Sequence, residues 1–175
     1  MDTTQTNHGP EFIWPHEDTS QVPFQVYTDQ DIYVREQTCI FRGLTWNFLC
    51  LEAELPNPGD YKTTYVGDTP IIVVRDQNNV INAMVNRCVH KGSLVCYKPR
   101  GNVSELTCVY HNWTYDLAGK LTSVAFSRGV GGQGGLTEEF DKEKYGLERL
   151  RVEVYRGLIM GTFSDATPPL ADYIG

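Results

Sequence analysis

Cys88-Val89-His90-Lys91-Gly92 and Cys108-Val109-Tyr110-His111-Asn112-Trp113-Thr114-Tyr115 decide the reading of this chain. Each stretch places one thiol and one imidazole in a single short turn, Cys-x-His in the first and Cys-x-x-His in the second. Seventeen residues separate them, enough for one return of the chain. Such turns aim both side chains at one point, so two neighbouring turns build a four-donor site. The chain has four histidines, and the other two, His8 and His16, lie near its start.

Two kinds of centre use two cysteines and two histidines. Structural zinc takes such a set, but the finger pattern pairs Cys with Cys and His with His. Here each turn mixes the two, which suits a Rieske-type [2Fe–2S] cluster, with two thiolates on one iron and two imidazoles on the other. The spacing therefore points to a cluster held by Cys88, His90, Cys108 and His111. Neutral imidazoles in place of two thiolates leave the cluster less negative and easier to reduce. A zinc site is the bland alternative, and four unrelated core residues a weaker one.

Outward from these turns the pattern is of short strands. Trp46–Leu51 is apolar and stops at Pro56-Asn57-Pro58-Gly59-Asp60. Tyr61–Val66, a Gly67-Asp68 turn, Ile71–Arg75, a turn over 76–79 and Val80–Asn86 follow as a meander. Ser104–Val109, Trp113–Leu117 and Leu121–Phe126 read as further strands, and Arg149–Tyr155 with Leu158–Phe163 as a hairpin around Arg156-Gly157. Residues 127–136 hold five glycines and exclude regular structure. No Lys-Ser/Thr follows them, which argues against a phosphate loop. Thr137–Tyr145 is charged and suits a short helix or an ordered loop. Before the strands, Thr28 is the expected N-cap of a helix ending near Gly43, with Ile32, Cys39 and Ile40 as its apolar contacts. The fold class is thus mainly β: an antiparallel sandwich with a cluster-binding subdomain, preceded by a short helix.

Composition narrows the function. The chain has 175 residues, 41% hydrophobic and 21% charged, with net charge −7. That balance disfavours a nucleic-acid partner, which would call for a basic face. No apolar run approaches the roughly 20 residues of a membrane span. The first twenty residues are polar and lack the apolar region of a signal peptide, so the expected location is cytoplasmic. Five cysteines, an odd number, suit a compartment that keeps thiols reduced, with Cys39, Cys50 and Cys96 as small core residues or surface thiols. Two Asn-x-Ser/Thr patterns, at Asn102 and Asn112, are read as chance for the same reason.

The two quoted stretches resemble the Rieske box of aromatic-ring-hydroxylating oxygenase large (α) subunits. The resemblance extends to Val22-Pro23-Phe24, to Trp46–Leu51, to Glu54–Asp60 and to Val73-Val74-Arg75-Asp76. Val124-Ala125-Phe126, Gly129-Val130 and Gln133-Gly134-Gly135 are similar to the branch acting on benzoate-like acids, which includes salicylate 5-hydroxylase and the terephthalate, anthranilate and halobenzoate dioxygenases. The resemblance implies that Cys88 and Cys108 bind the buried iron, and His90 and His111 the outer one. It implies that Lys91 supplies a basic residue, that Gly92 lets the backbone approach the sulfides, and that Trp113 covers the cluster. Tyr110 and Tyr115 complete the surroundings, Tyr115 as a candidate donor to a sulfur.

It further implies electron transfer to a mononuclear non-haem iron held by two histidines and a carboxylate in a second domain. His8 and His16 cannot supply that site, so the chain looks like the N-terminal Rieske domain of such a subunit. The expected organisation is a flexible arm over 1–22, a helical lead-in over 23–45, the iron–sulfur domain over 46–164 with cluster loops within 86–116, and the start of a connection over 165–175. Implied partners are a reductase or ferredoxin, the catalytic domain of a neighbouring α subunit in a trimer, and a small β subunit. The rival reading is a free-standing Rieske ferredoxin, which would lack the lead-in of 22–60 and the insertion at 127–145.

Overall fold

The computed structural model describes residues 20–131 and 133–175. Most of the expected arm, with Trp14, His8 and His16, lies outside the described residues. A 3-10 turn over Phe24–Tyr27 leads into helix α1 (Gln30–Glu36), which a π-helical turn over Gln37–Phe41 extends. The N-cap is Asp29 rather than Thr28. Asp29 is extended, and its carboxylate accepts from the N–H groups of Asp31 (2.9 Å) and Ile32 (3.0 Å). Thr28 still belongs to the turn before it, with ψ −11° rather than the extended backbone of an N-cap. Cys39 is exposed and Ile40 half exposed, against the expectation that both pack inward. The π turn advances each residue less than an α turn does, and Phe41 packs on the core instead.

Seven strands form one antiparallel sheet: β1 (Asn47–Leu51), β2 (Asp60–Val66), β3 (Thr69–Arg75), β4 (Ile81–Val85), β5 (Arg100–Asn102), β9 (Arg149–Tyr155) and β10 (Leu158–Thr162). Their order is β1-β10-β9-β4-β3-β2-β5. A second sheet has the order β6-β7-β8, from β6 (Leu106–Thr107), β7 (Trp113–Tyr115) and β8 (Leu121–Val124). These three are shorter than the expected strands. The turn following Cys108 takes the end of the first, and Asp116 caps a turn through the N–H groups of Ala118 (2.9 Å) and Lys120 (2.8 Å). Strand β5 and the terminal helix α2 (Leu170–Ile174) were not expected.

Strand β3 explains the layering. Ile71-Ile72-Val73-Val74 is a continuous apolar run, fully buried on both faces. Ile71 and Val73 join Leu49, Cys50, Val85, Leu150 and Ile159 in one core. Leu49 and Ile159 belong to the far end of the same sheet, so the sheet curls until its own strands face each other. Ile72 and Val74 turn the other way, into a core with Met84, Leu106, Trp113, Tyr115 and Leu121. That second core seats the small sheet against the large one, and it contains Cys88 and Cys108. Among the described residues, no helix is long and apolar enough to cross a membrane.

Candidate metal centre

The two quoted stretches fold into matched loops. In the first, the Cys88 N–H donates to Ser93 O and the Gly92 N–H donates to Cys88 O, both at 2.8 Å. In the second, the Cys108 N–H donates to Trp113 O (2.9 Å) and the Asn112 N–H to Cys108 O (2.8 Å). The residue four after each cysteine is left-handed, with φ +73° at Gly92 and +52° at Asn112. Glycine and asparagine are the residues that accept this conformation at least cost. A Cβ on Gly92 would meet no protein atom within 4 Å, so its backbone angle, not crowding by the protein, demands glycine.

Asn86 closes the first loop. It is buried, and its Oδ1 accepts from the N–H groups of Val95 (3.0 Å) and Cys96 (2.9 Å) while its Nδ2 donates to Cys96 O (2.8 Å). The loop therefore leaves β4 and returns to a fixed point beside it. The second loop is held by the β6–β7 pairing and by the Thr107–Thr114 hydroxyl pair at 3.1 Å.

The loops present their donors as two unlike pairs. Cys88 and Cys108 are buried. The imidazoles of His90 and His111 meet edge to face, centroids 4.7 Å apart, with His111 exposed and His90 half-buried. Trp113 lies parallel to His90 at 4.8 Å, and Tyr110 covers His111 at 3.9 Å. The fully buried Tyr115 places its hydroxyl 3.1 Å from Cys88 Sγ. Lys91 is exposed beside the pair. A recess of about 400 Å³, lined in part by His90, Tyr110, His111 and Phe126, opens this edge to solvent.

The electrostatics bear on how these side chains could bind a metal group. Burial pushes the Cys88 thiol up, the Tyr115 hydrogen bond pulls it down, and Cys108 nearby raises it again. Burial, then the Cys88 contact, raise Tyr115, so the phenol stays protonated beside Cys88 Sγ. Burial, helped by His111 and then Lys91, lowers His90 and keeps its imidazole neutral, the form that ligates. Nδ1 of His90 is buried without a hydrogen-bond partner. A buried nitrogen lone pair with nothing to bind is costly unless a ligand takes it, so the residues present fit a metal group. Among the described residues, no three His, Cys, Asp or Glu side chains converge on one ion. A tetrahedral zinc would gather all four donors at one point, whereas a two-iron cluster takes them two by two.

A family model described as Rieske [2Fe–2S] domain matches residues 45–131, which include both loops. The chain belongs to the Rieske [2Fe–2S] domain family. This Rieske domain is 52% identical over 162 residues to the anthranilate 1,2-dioxygenase large subunit of Burkholderia cepacia, covering 93% of the chain and 38% of the relative. It is 47% identical over 162 residues to the terephthalate 1,2-dioxygenase terminal oxygenase component subunit alpha 2 of Comamonas sp, covering 93% and 39%. The crystal structure of naphthalene 1,2-dioxygenase from Rhodococcus sp. bound to indole superposes with a TM-score of 0.76 at 33% identity, over 88% of this chain and 34% of that one. The Rieske chain thus spans about two fifths of the length of the curated relatives named here. Sequence reasoning missed Asn86 and the contacts of Phe140 and Tyr145 with Trp113; an asparagine ending an apolar strand was the one available signal for the first.

Proposed function

We propose that this domain holds its [2Fe–2S] cluster through Cys88 and Cys108 on the inner iron and His90 and His111 on the outer one, and passes single electrons within a ring-hydroxylating oxygenase acting on a benzoate-like aromatic acid. The observation that carries the assignment is the arrangement of donors as a buried thiol pair and a solvent-facing imidazole pair. Bound there, the cluster would take up and release one electron at a time. The cysteines keep the inner side dry, with Tyr115 holding its proton toward Cys88 Sγ. The histidines put the outer side at the surface, where a partner approaches. The donor is a reductase or ferredoxin component. The acceptor is a mononuclear non-haem iron in an α-subunit catalytic domain, that of a neighbouring subunit in a trimer, with a small β subunit as a further partner. Cys39, Cys50 and Cys96, the three thiols left outside the cluster, are not joined in disulfides, which suits a cytoplasmic setting. Identity to oxygenase large subunits across 93% of the chain, well beyond residues 45–131, favours this reading over a free-standing ferredoxin.

The test is to purify the 175 residues anaerobically and count iron and acid-labile sulfide, with about two of each expected per chain. Replacing His90 or Cys108 by Ala should abolish the cluster. Given NADH, a competent reductase and oxygen, the chain should accept an electron yet hydroxylate no benzoate-type acid. Zinc without sulfide refutes the cluster assignment, and substrate-dependent oxygenation by these residues alone refutes the division of labour.

A further inference from the structure

Beyond the ligands and the rings next to them, the segment over 137–145 reaches the centre through aromatic contacts. Trp113, parallel to His90 at an interplanar angle of 1°, is met nearly at right angles by Phe140 (5.8 Å, 82°) and by Tyr145 (5.9 Å, 81°). Phe140 and Tyr145 stack on each other at 4.6 Å. The segment is pinned to the small sheet. Lys142 Nζ donates to Thr122 O (3.0 Å), and the Leu147 N–H donates to Gly119 O (2.8 Å). Thr122 lies in β8, the strand paired with the one that carries Trp113. The segment lies outside residues 45–131, the stretch matched by the domain model.

We propose that Phe140 and Tyr145 are positioning residues for His90, acting through the Trp113 ring. Ligating histidines are usually oriented by a hydrogen bond at the nitrogen that does not ligate. At His90 flat contacts also act on the ring plane, with Trp113 on its face and His111 meeting it edge to face. The Phe140–Tyr145 pair, perpendicular to Trp113, blocks rotation of its plane. Quadrupoles favour the edge-to-face geometry seen at both contacts. Without the pair, water reaches the Trp113 face and the tilt of His90 relaxes. Ligand orientation and local polarity both tune an iron–sulfur centre, so the segment bears on the redox properties without touching a ligand.

This rests on the ligand assignment above, and the test separates the two. The holoprotein is prepared with Phe140→Ala/Tyr145→Ala, with Tyr145→Phe, which keeps the ring, and with Leu150→Ala, which loosens the other core. Iron and sulfide are counted, and the reduced protein is examined by electron paramagnetic resonance and by redox titration. The double variant should retain its cluster with a broadened spectrum and a displaced midpoint. Tyr145→Phe and Leu150→Ala should match the parent. A double variant with parental line shape and midpoint overturns the proposal, as does an equal change in Leu150→Ala. Should the double variant lose its cluster, Phe140→Leu decides by the same two readouts. A His90→Ala protein with the parental signal would overturn the ligand assignment itself, whatever the segment variants do.

Discussion

Asn86→Ala is the perturbation whose cost follows most directly from the geometry. The side chain is 2% exposed and makes three hydrogen bonds, at 2.8, 2.9 and 3.0 Å, to the backbone of Val95 and Cys96. Alanine leaves two N–H groups and one carbonyl unpaired where Val95 and Cys96 are themselves buried. A net hydrogen bond is worth about 1 kcal/mol, and a buried group left without a partner costs about 1–3 kcal/mol. Three such groups give a loss of about 3 kcal/mol if the loop opens to water, and more if it stays closed. That is a large share of the roughly 5–15 kcal/mol that holds a domain folded. The assay is urea unfolding of the cluster-loaded protein, followed by circular dichroism and by visible absorbance, with Asn102→Ala as control. Asn102 also bonds Pro58 O and Asp60, but it is exposed, and its loss should cost under about 1 kcal/mol. Asn86→Ala should bleach at lower urea than it unfolds, because the first cluster loop loosens before the sheet does. A variant within about 1 kcal/mol of the parent, with a full and stable cluster, would refute the idea that Asn86 closes the loop.

Three further outcomes are expected. Tyr115→Phe removes the donor 3.1 Å from Cys88 Sγ. A difference of about 1 kcal/mol between redox states corresponds to about 40 mV for one electron, so the midpoint should fall by tens of millivolts in a redox titration; an unchanged or higher value opposes the hydrogen bond. The parent midpoint itself should lie near the low end of the Rieske range, about −150 mV rather than about +300 mV. The bulky, non-hydroxylic Trp113 stands two residues after His111, no disulfide braces the loops, and voltammetry giving a value well above zero would point to a further donor. Burial pushes the thiols of Cys50 and Cys96 from 9.0 up to about 11. Their contribution to stability is complete below pH 9, where both states are protonated, and is lost as pH climbs through 11, by at most about 1.4 kcal/mol per pH unit per thiol. Urea melts between pH 8 and 11 should show that decline, and replacing Cys50 by Ala should remove about half of it.

Where sequence reasoning erred, the competing force is identifiable. Thr28 and Asp29 both suit an N-cap, and the preceding 3-10 turn decides between them by leaving Thr28 at ψ −11° and Asp29 extended at ψ 125°, the backbone an N-cap needs. Cys39 and Ile40 read as inward residues on an α-helical period, and the π turn over Gln37–Phe41 breaks that period. Strand β5 carries no apolar alternation at all. Arg100–Asn102 is a strand because it pairs with Asp60–Lys62, a partner some forty residues away in the chain.

The sequence by itself determined the class of fold and pointed to the proposed donor set. Two Cys/His turns at 88–90 and 108–111 name the chemistry because thiolate and imidazole are distinctive ligands and short turns hold them close. Alternation and a run such as Ile71–Val74 mark strands and their buried faces, since side chains leave a strand with a period of two. The tertiary structure alone decided which of those four side chains are buried and which face solvent. The cysteines face inward and the histidines outward because the small sheet seats on Ile72 and Val74 of the large one, and no local rule states that contact. The same holds for Asn86, whose bonds close a loop, and for Phe140 and Tyr145, which reach His90 only through Trp113. Short-range geometry sets where a side chain points along its own turn or strand, and only the packing of distant segments sets what it meets there.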